Sequence, residues 1–166
     1  MSVIRGTGRS RCPYPCAVAT AIRTRTVAAA PQAVWDVLAD FGSLSSWARN
    51  VDHSCLLEHG AAGVDVGTSR RVQVGRNTLV ERVTDCAPAT TLGYDIEGLP
   101  RRLRRVANCW TLAPTAQGFT AVTLTTTVEV GSNPVAAIAE RAMCRLLTKQ
   151  SDVMLAGLAE RVEGRR

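Results

Sequence analysis

Aromatic residues are scarce in this 166-residue chain, at 4% of the sequence: three Trp, two Tyr and two Phe. That leaves little surface on which single-stranded bases could stack. Lysine is almost missing. Lys149 is the only one, and the other nineteen basic residues are arginines. No acid precedes Asp36, whereas Arg5, Arg9, Arg11, Arg23 and Arg25 all do. Without those five arginines, 15 basic residues face 14 acidic ones, so the net charge of +6 belongs to the N-terminal end and not to the body. A nucleic-acid-binding domain is expected to carry a basic face of its own, and no nucleic-acid partner is expected here. No apolar run approaches the roughly 20 residues that span a bilayer. There is no C-x-x-C pair, and neither His53 nor His59 has zinc-like spacing to a cysteine, so no metal is expected. No phosphate loop is present and no nucleophile stands beside a base. No cofactor is expected either.

At 46% hydrophobic and 20% charged, the chain has the composition of a globular protein. Its length fits one domain. Residues 1–16 are rich in Gly, Ser, Arg and Pro and are read as a disordered leader; residues 17–166 are read as a single domain. The leader lacks the apolar core of a secretory signal. Its Arg-rich, acid-free start also resembles an organelle transit peptide. The use of Arg for Lys, with abundant Ala, Gly and Val, points instead to a GC-rich bacterial genome, an inference about codons. The leader is then a floppy tail or a mis-assigned start. Cys12 and Cys16 lie within it as "CPYPC". Cys55, Cys86, Cys109 and Cys144 sit among apolar runs, as expected of small buried hydrophobes in a reducing cytoplasm. The expected localisation is cytoplasmic.

Periodicity gives the organisation. Residues 17–27, "AVATAIRTRTV", alternate as a strand does. Pro31 suits the first turn of a helix, with Val34, Trp35, Val37 and Leu38 on one face and an end at Asp40-Phe41-Gly42. A second short helix, "SLSSWARNV", follows, with Ser43 as its N-cap. The period then becomes two, over residues 53–61, 68–74, 78–86, 92–98, 105–114 and 119–130. The connections between them have hairpin lengths. From Asn133-Pro134 to about Glu163 the spacing is helical again, with Val135, Ile138, Ala142, Leu146, Val153 and Leu158 on an apolar stripe. At about 1.5 Å per residue this helix is ~45 Å long and needs a long partner. A curled antiparallel sheet is such a partner, and the short helix pair would plug its open end with Trp35, Phe41 and Trp47.

The order of these elements resembles the helix-grip arrangement of the START-like superfamily. More narrowly it resembles the bacterial SRPBCC group, often labelled polyketide cyclase/dehydrase. The matching stretches are "TRTVAAAPQAVWDVLADFGSLSSW", "VGTSRRV" (66–72), "LVERVTDCAPATTLGYDI" (79–96), "CWTLAP" (109–114) and the amphipathic end helix, over about residues 17–163. The resemblance implies an α+β helix-grip fold. A curved antiparallel sheet of about seven strands would wrap a long C-terminal helix, with two short helices between strands 1 and 2. It also implies an internal hydrophobic cavity that takes lipids, sterols, polyketides or other apolar molecules.

Strand alternation then sorts the faces. Arg70 goes with Val72 and Val74, Glu81 with Leu79 and Val83, and Tyr94 with Leu92 and Ile96. Asn108 and Trp110 go with Val106 and Leu112, and Thr126 with Leu124 and Val128. Inward polar groups are costly unless paired. Arg70 and Glu81, on adjacent strands, either pair with each other or anchor a ligand. Tyr94 is either a core aromatic or an anchor, and an inward Asn108 amide needs partners. Trp47 and Trp110 are core weight that can also line the cavity, whereas His53 is read as a surface histidine. "RRLRR" (101–105) is a solvated loop or a cationic rim at the cavity mouth. The expected ligand-binding residues are Trp47, Arg70, Glu81, Tyr94, Asn108, Trp110, Thr126, Met143 and Leu146. Glu81 is the catalytic candidate if there is catalysis.

Three function classes stay open. The first is binding of a hydrophobic small molecule. The second is a cyclase, aromatase or dehydratase in which inward Arg, Tyr or Asn polarises a carbonyl and Glu81 moves a proton. The third is a protein-interaction or stress-response module. A homodimer is compatible with all three.

Overall fold

A computed structural model describes residues 17–60, 63–99, 103–130 and 136–164. The leader, Pro134, Arg101 and Arg102 lie outside the described residues, as do the side chains of Met143 and Cys144. Seven strands form one antiparallel sheet: β1 (Ala17–Val27), β2 (His53–Glu58), β3 (Ser69–Val74), β4 (Asn77–Ala87), β5 (Thr91–Glu97), β6 (Leu103–Pro114) and β7 (Thr120–Val130). Their order across the sheet is β1-β7-β6-β5-β4-β3-β2. From β2 onward each strand pairs with its neighbour in sequence, as the short connections require. Register breaks at Leu56/Glu58, Val83/Asp85 and Leu103/Arg105 add local bend to the curved sheet.

Strands β1 and β2 are the two opposite edges. The chain between them must therefore cross the whole open end of the curl, and it does so as helix α1 (Pro31–Ala39) and a 3-10 helix (Phe41–Ser46). Pro31 occupies the start of α1, where its missing N–H costs nothing. The pair buries Val34, Trp35, Val37, Leu38, Phe41 and Leu44. Strand β2 fastens it. The Ser54 hydroxyl donates to the Gly42 carbonyl at 2.7 Å and accepts from the Ser45 N–H at 2.8 Å. Ser43 is not the cap expected from sequence: it lies inside the 3-10 helix, and its hydroxyl donates to Asp40 Oδ1 at 2.9 Å. The cap position is Asp40, three residues earlier than the pattern suggested.

Helix α2 (Ala136–Glu163) lies across β1 and β7 and reaches α1. Arg23 on β1 meets Asp152 on α2 at 3.2 Å. The helix buries Ser151, Met154, Leu155, Leu158, Ala159 and Val162. Leu146, expected in the stripe, is 53% exposed. The buried line runs through Leu147 and Ser151, and residue 146 is turned about 100° from Leu147 by the helical repeat. The cysteines also depart from expectation. Cys55 is exposed on edge strand β2, and Cys86 and Cys109 are half-buried.

The outer sheet face is crossed by ion pairs. Arg82 bridges Glu58 (2.7 Å) and Glu97 (3.4 Å), and Arg105 bridges Asp95 (2.8 Å) and Glu129 (3.8 Å). Arg105 therefore belongs to a strand and an outer-face network, not to a free loop. His53 is exposed.

Candidate functional site

The inner sheet face carries two rows of polar groups. In register, Arg70 faces Glu81 and Glu81 faces Ile96. One step along, Val83, Tyr94, Asn108 and Thr126 stand opposite one another across β4 to β7. Alternation turns all of them inward, so Arg70, Glu81, Asn108 and Thr126 are buried among aliphatic neighbours. Each must find partners inside.

Arg70 finds a partner for each of its three side-chain nitrogens. Its Nε and Nη2 both meet Glu81 Oε2, at 2.6 and 2.5 Å, and its Nη1 donates to the Phe41 carbonyl at 2.8 Å. The guanidinium lies 3.8 Å over the Phe41 ring and 5.2 Å from the Tyr94 ring. Weakly hydrated, planar arginine suits such a site. The pair is structural on the Arg70 side. On the Glu81 side it is one-sided: among the described residues, Oε1 takes no hydrogen bond.

The second row is a chain of hydrogen bonds. The Tyr94 hydroxyl accepts from Trp110 Nε1 and from Asn108 Nδ2, each at 3.3 Å. Thr126 donates to Asn108 Oδ1 at 2.7 Å, and Ser151 on α2 lies 3.4 Å from the Thr126 hydroxyl. Sheet and helix are thus joined by polar atoms in an apolar interior. Burial, with the nearby Glu81 charge, pushes the Tyr94 phenol up to about 12, so it stays protonated at neutral pH.

Between this face and α2 lies a cavity of about 300 Å³. Its walls are mostly aliphatic, with Val72, Leu79, Ile96, Val106, Leu147 and Met154 among them. Glu81, Asn108, Thr126 and Ser151 are among its polar residues, with Asn50, Asn77 and Gln150. Of the residues singled out from sequence, Glu81, Asn108 and Thr126 reach this cavity. Arg70, Tyr94 and Trp110 form the packed layer behind it and do not line it. Trp47 packs edge-on against Trp110, with ring centroids 6.3 Å apart, and faces a different, open surface depression beside Arg49 and Glu160. Leu146 points away. Sequence reasoning missed Asn50, Gln150 and Ser151. Asn50 Nδ2 donates to Gln150 Oε1 at 2.6 Å at the cavity wall. The available signal was Ser151 itself, four residues after Leu147 and three before Met154, which places a hydroxyl on the buried line.

Among the described residues, no three His, Cys, Asp or Glu side chains are grouped to hold a metal. No helix among them is long and apolar enough to cross a membrane.

Residues 19–163 match the family described as polyketide cyclase / dehydrase and lipid transport. The chain belongs to that family. No curated protein sequence matches it significantly. Solved structures share its fold. The Zhui aromatase/cyclase from Streptomyces sp. R1128 superposes with a TM-score of 0.75 at 21% identity, over 90% of this chain and 96% of that one. The di-domain ARO/CYC StfQ of the steffimycin biosynthetic pathway gives 0.74 at 17% identity, over 89% of this chain and 52% of that one. A START superfamily protein from Mycobacterium smegmatis gives 0.71 at 15% identity, over 89% and 99%. The curved seven-stranded sheet closed on a C-terminal helix is the helix-grip fold of these proteins.

Proposed function

We propose that the protein binds a hydrophobic small molecule in the cavity between the sheet and α2. The observation that carries this reading is the cavity itself. Protein interiors are close-packed, and about 300 Å³ of mostly aliphatic space is at the lower end of the range for small-molecule sites. Family membership supports it. Native mass spectrometry of the protein purified from its own host tests it. A co-purifying small organic molecule, released on denaturation, is the expected result. Bare protein that also binds no uncharged apolar dye such as N-phenyl-1-naphthylamine in its native state would overturn it.

A second reading, a cyclase, aromatase or dehydratase acting on a polyketide-like substrate, has one specific observation in its favour. Glu81 brings a carboxylate to an apolar cavity that the Thr126 and Ser151 hydroxyls also line, and a positioned carboxylate can move a proton. Glu81→Gln separates the readings. It abolishes turnover of a poly-β-ketone if Glu81 carries a proton, and changes ligand affinity only modestly if the protein is a carrier.

A further inference from the structure

Resting on the binding reading, we propose that the cavity selects uncharged, compact ligands that present an O–H or N–H donor to Oε1 of Glu81, and that it rejects anionic head groups.

The charge inventory of the cavity leads there. Among the described residues that line it, Glu81 is the only charged one. Arg70, the cation paired with Glu81, does not line it, and each of its three nitrogens already has a partner. Its Nε and Nη2 are committed to Glu81 Oε2, its Nη1 to the Phe41 carbonyl, and its face to the Phe41 ring. A carboxylate or phosphate entering this space would meet a carboxylate whose counter-ion, Arg70, lies outside the cavity lining, and among the described residues no cation lines the cavity. Fatty acids and phospholipid head groups are the wrong ligands for it.

The hydrogen-bond inventory points the same way. The Glu81 side chain is 6% exposed, and Oε1 takes no hydrogen bond among the described residues. A second acceptor of the wall adds to it: Asn50 Oδ1 is buried without a partner among the described residues, whereas Asn108 Oδ1 is taken by Thr126 and one Nδ2 hydrogen by Tyr94. An ionised carboxylate is an acceptor only, so a ligand satisfies it with a donor. A bare ketone or ether oxygen does not. Size adds a third restriction. About 300 Å³ is the volume of ~10 liquid waters, which suits a small ring compound better than a long acyl chain.

The test is a matched series titrated into the full chain by isothermal calorimetry at neutral pH: 2-naphthol, 2-methoxynaphthalene and 2-naphthoate. The three share one apolar body and differ in carrying a donor, an acceptor or a negative charge. The expected order is 2-naphthol at least tenfold tighter than 2-methoxynaphthalene, with 2-naphthoate weakest. In the double variant Arg70→Leu/Glu81→Leu, which removes both charges and leaves neither buried alone, the preference for the hydroxyl should fall to near one. Equal binding of the first two compounds, tightest binding of the naphthoate, or a hydroxyl preference that survives the double variant would each overturn the inference and leave the binding reading standing. If none of the three binds while the protein carries a co-purifying molecule or binds the dye, the inference falls and the binding reading stands.

Discussion

A Cβ on Gly157 would overlap the carbonyl oxygen of Trp47. Helix α2 and the end of the 3-10 helix therefore touch backbone to backbone. This contact lets the short helix pair close the sheet's open end, and it brings Trp47 onto Trp110. In an exposed helix, Gly→Ala stabilises by about 1 kcal/mol. Here the sign should reverse. Neither backbone can yield without disturbing the Trp layer, so Gly157→Ala should cost about 1–3 kcal/mol, as overpacking does. Urea denaturation of the variant measures it, and a raised midpoint would mean that the two segments are free to separate.

Arg70 and Glu81 offer a second test. Removing one partner leaves a buried charge uncompensated, so Arg70→Leu should destabilise by about 3–5 kcal/mol. The double variant Arg70→Leu/Glu81→Leu should recover most of that loss. A thermodynamic cycle from chemical denaturation reads the coupling. Additive losses would mean that the two side chains are held by their other contacts.

The hydrogen-bonded row predicts a different kind of coupling. Asn108→Leu removes a partner from both Tyr94 and Thr126 and should cost about 1–3 kcal/mol. Thr126→Val also removes a hydroxyl that Ser151 faces. Made together, the two changes should cost less than the sum of the singles, because they share one bond. Strict additivity in denaturant melts would place the two residues in separate environments.

The sheet was legible because its two faces differ. Alternation marked Val72, Val83, Tyr94, Trp110 and Leu124 as one face, and all five are buried. A one-residue slip would have turned the set outward, so a pattern this consistent fixes the side. The helix was less legible because it is apolar on more than one side. Leu146 and Leu147 are adjacent, and only the packing partner decides which one turns in. Trp110 and Tyr94 were assigned to the cavity wall on orientation alone, but inward-facing residues can be covered by others, and these two are. Neither the serine bridge from Ser54 to Gly42 nor the one-sided pairing of Glu81 has a periodic signature. Both arise from contacts between segments that are not paired by strand register, and the sequence does not encode such contacts as a pattern.

The helix face can be checked directly. Leu146→Asp, on an exposed position, should shift stability by no more than about 0.5 kcal/mol. Leu158→Asp puts a carboxylate at a position with no exposure, and the chain should fail to fold. Circular dichroism melts of the two variants, side by side, give the answer. Unfolding of Leu146→Asp would restore the original stripe.

Tyr94 predicts how stability depends on alkaline pH. Its phenol ionises near 10 in the unfolded chain, and in the folded protein burial pushes it up to about 12. Between those values the unfolded state has released a proton that the folded state still holds. The unfolded state then binds fewer protons, so unfolding becomes easier as pH rises. The loss begins near pH 10 and grows to about 2–3 kcal/mol by pH 12. Burial also pushes the Cys86 and Cys109 thiols up, which adds a loss of the same sign starting near pH 9. Tyr94→Phe separates the contributions, because it keeps both thiols and removes only the phenol. Its denaturation midpoint, followed in urea from pH 9 to 11.5, should fall less steeply than that of the parent protein. Parallel curves would mean that Tyr94 ionises in the folded state as readily as in the unfolded chain, and that its hydroxyl is open to water.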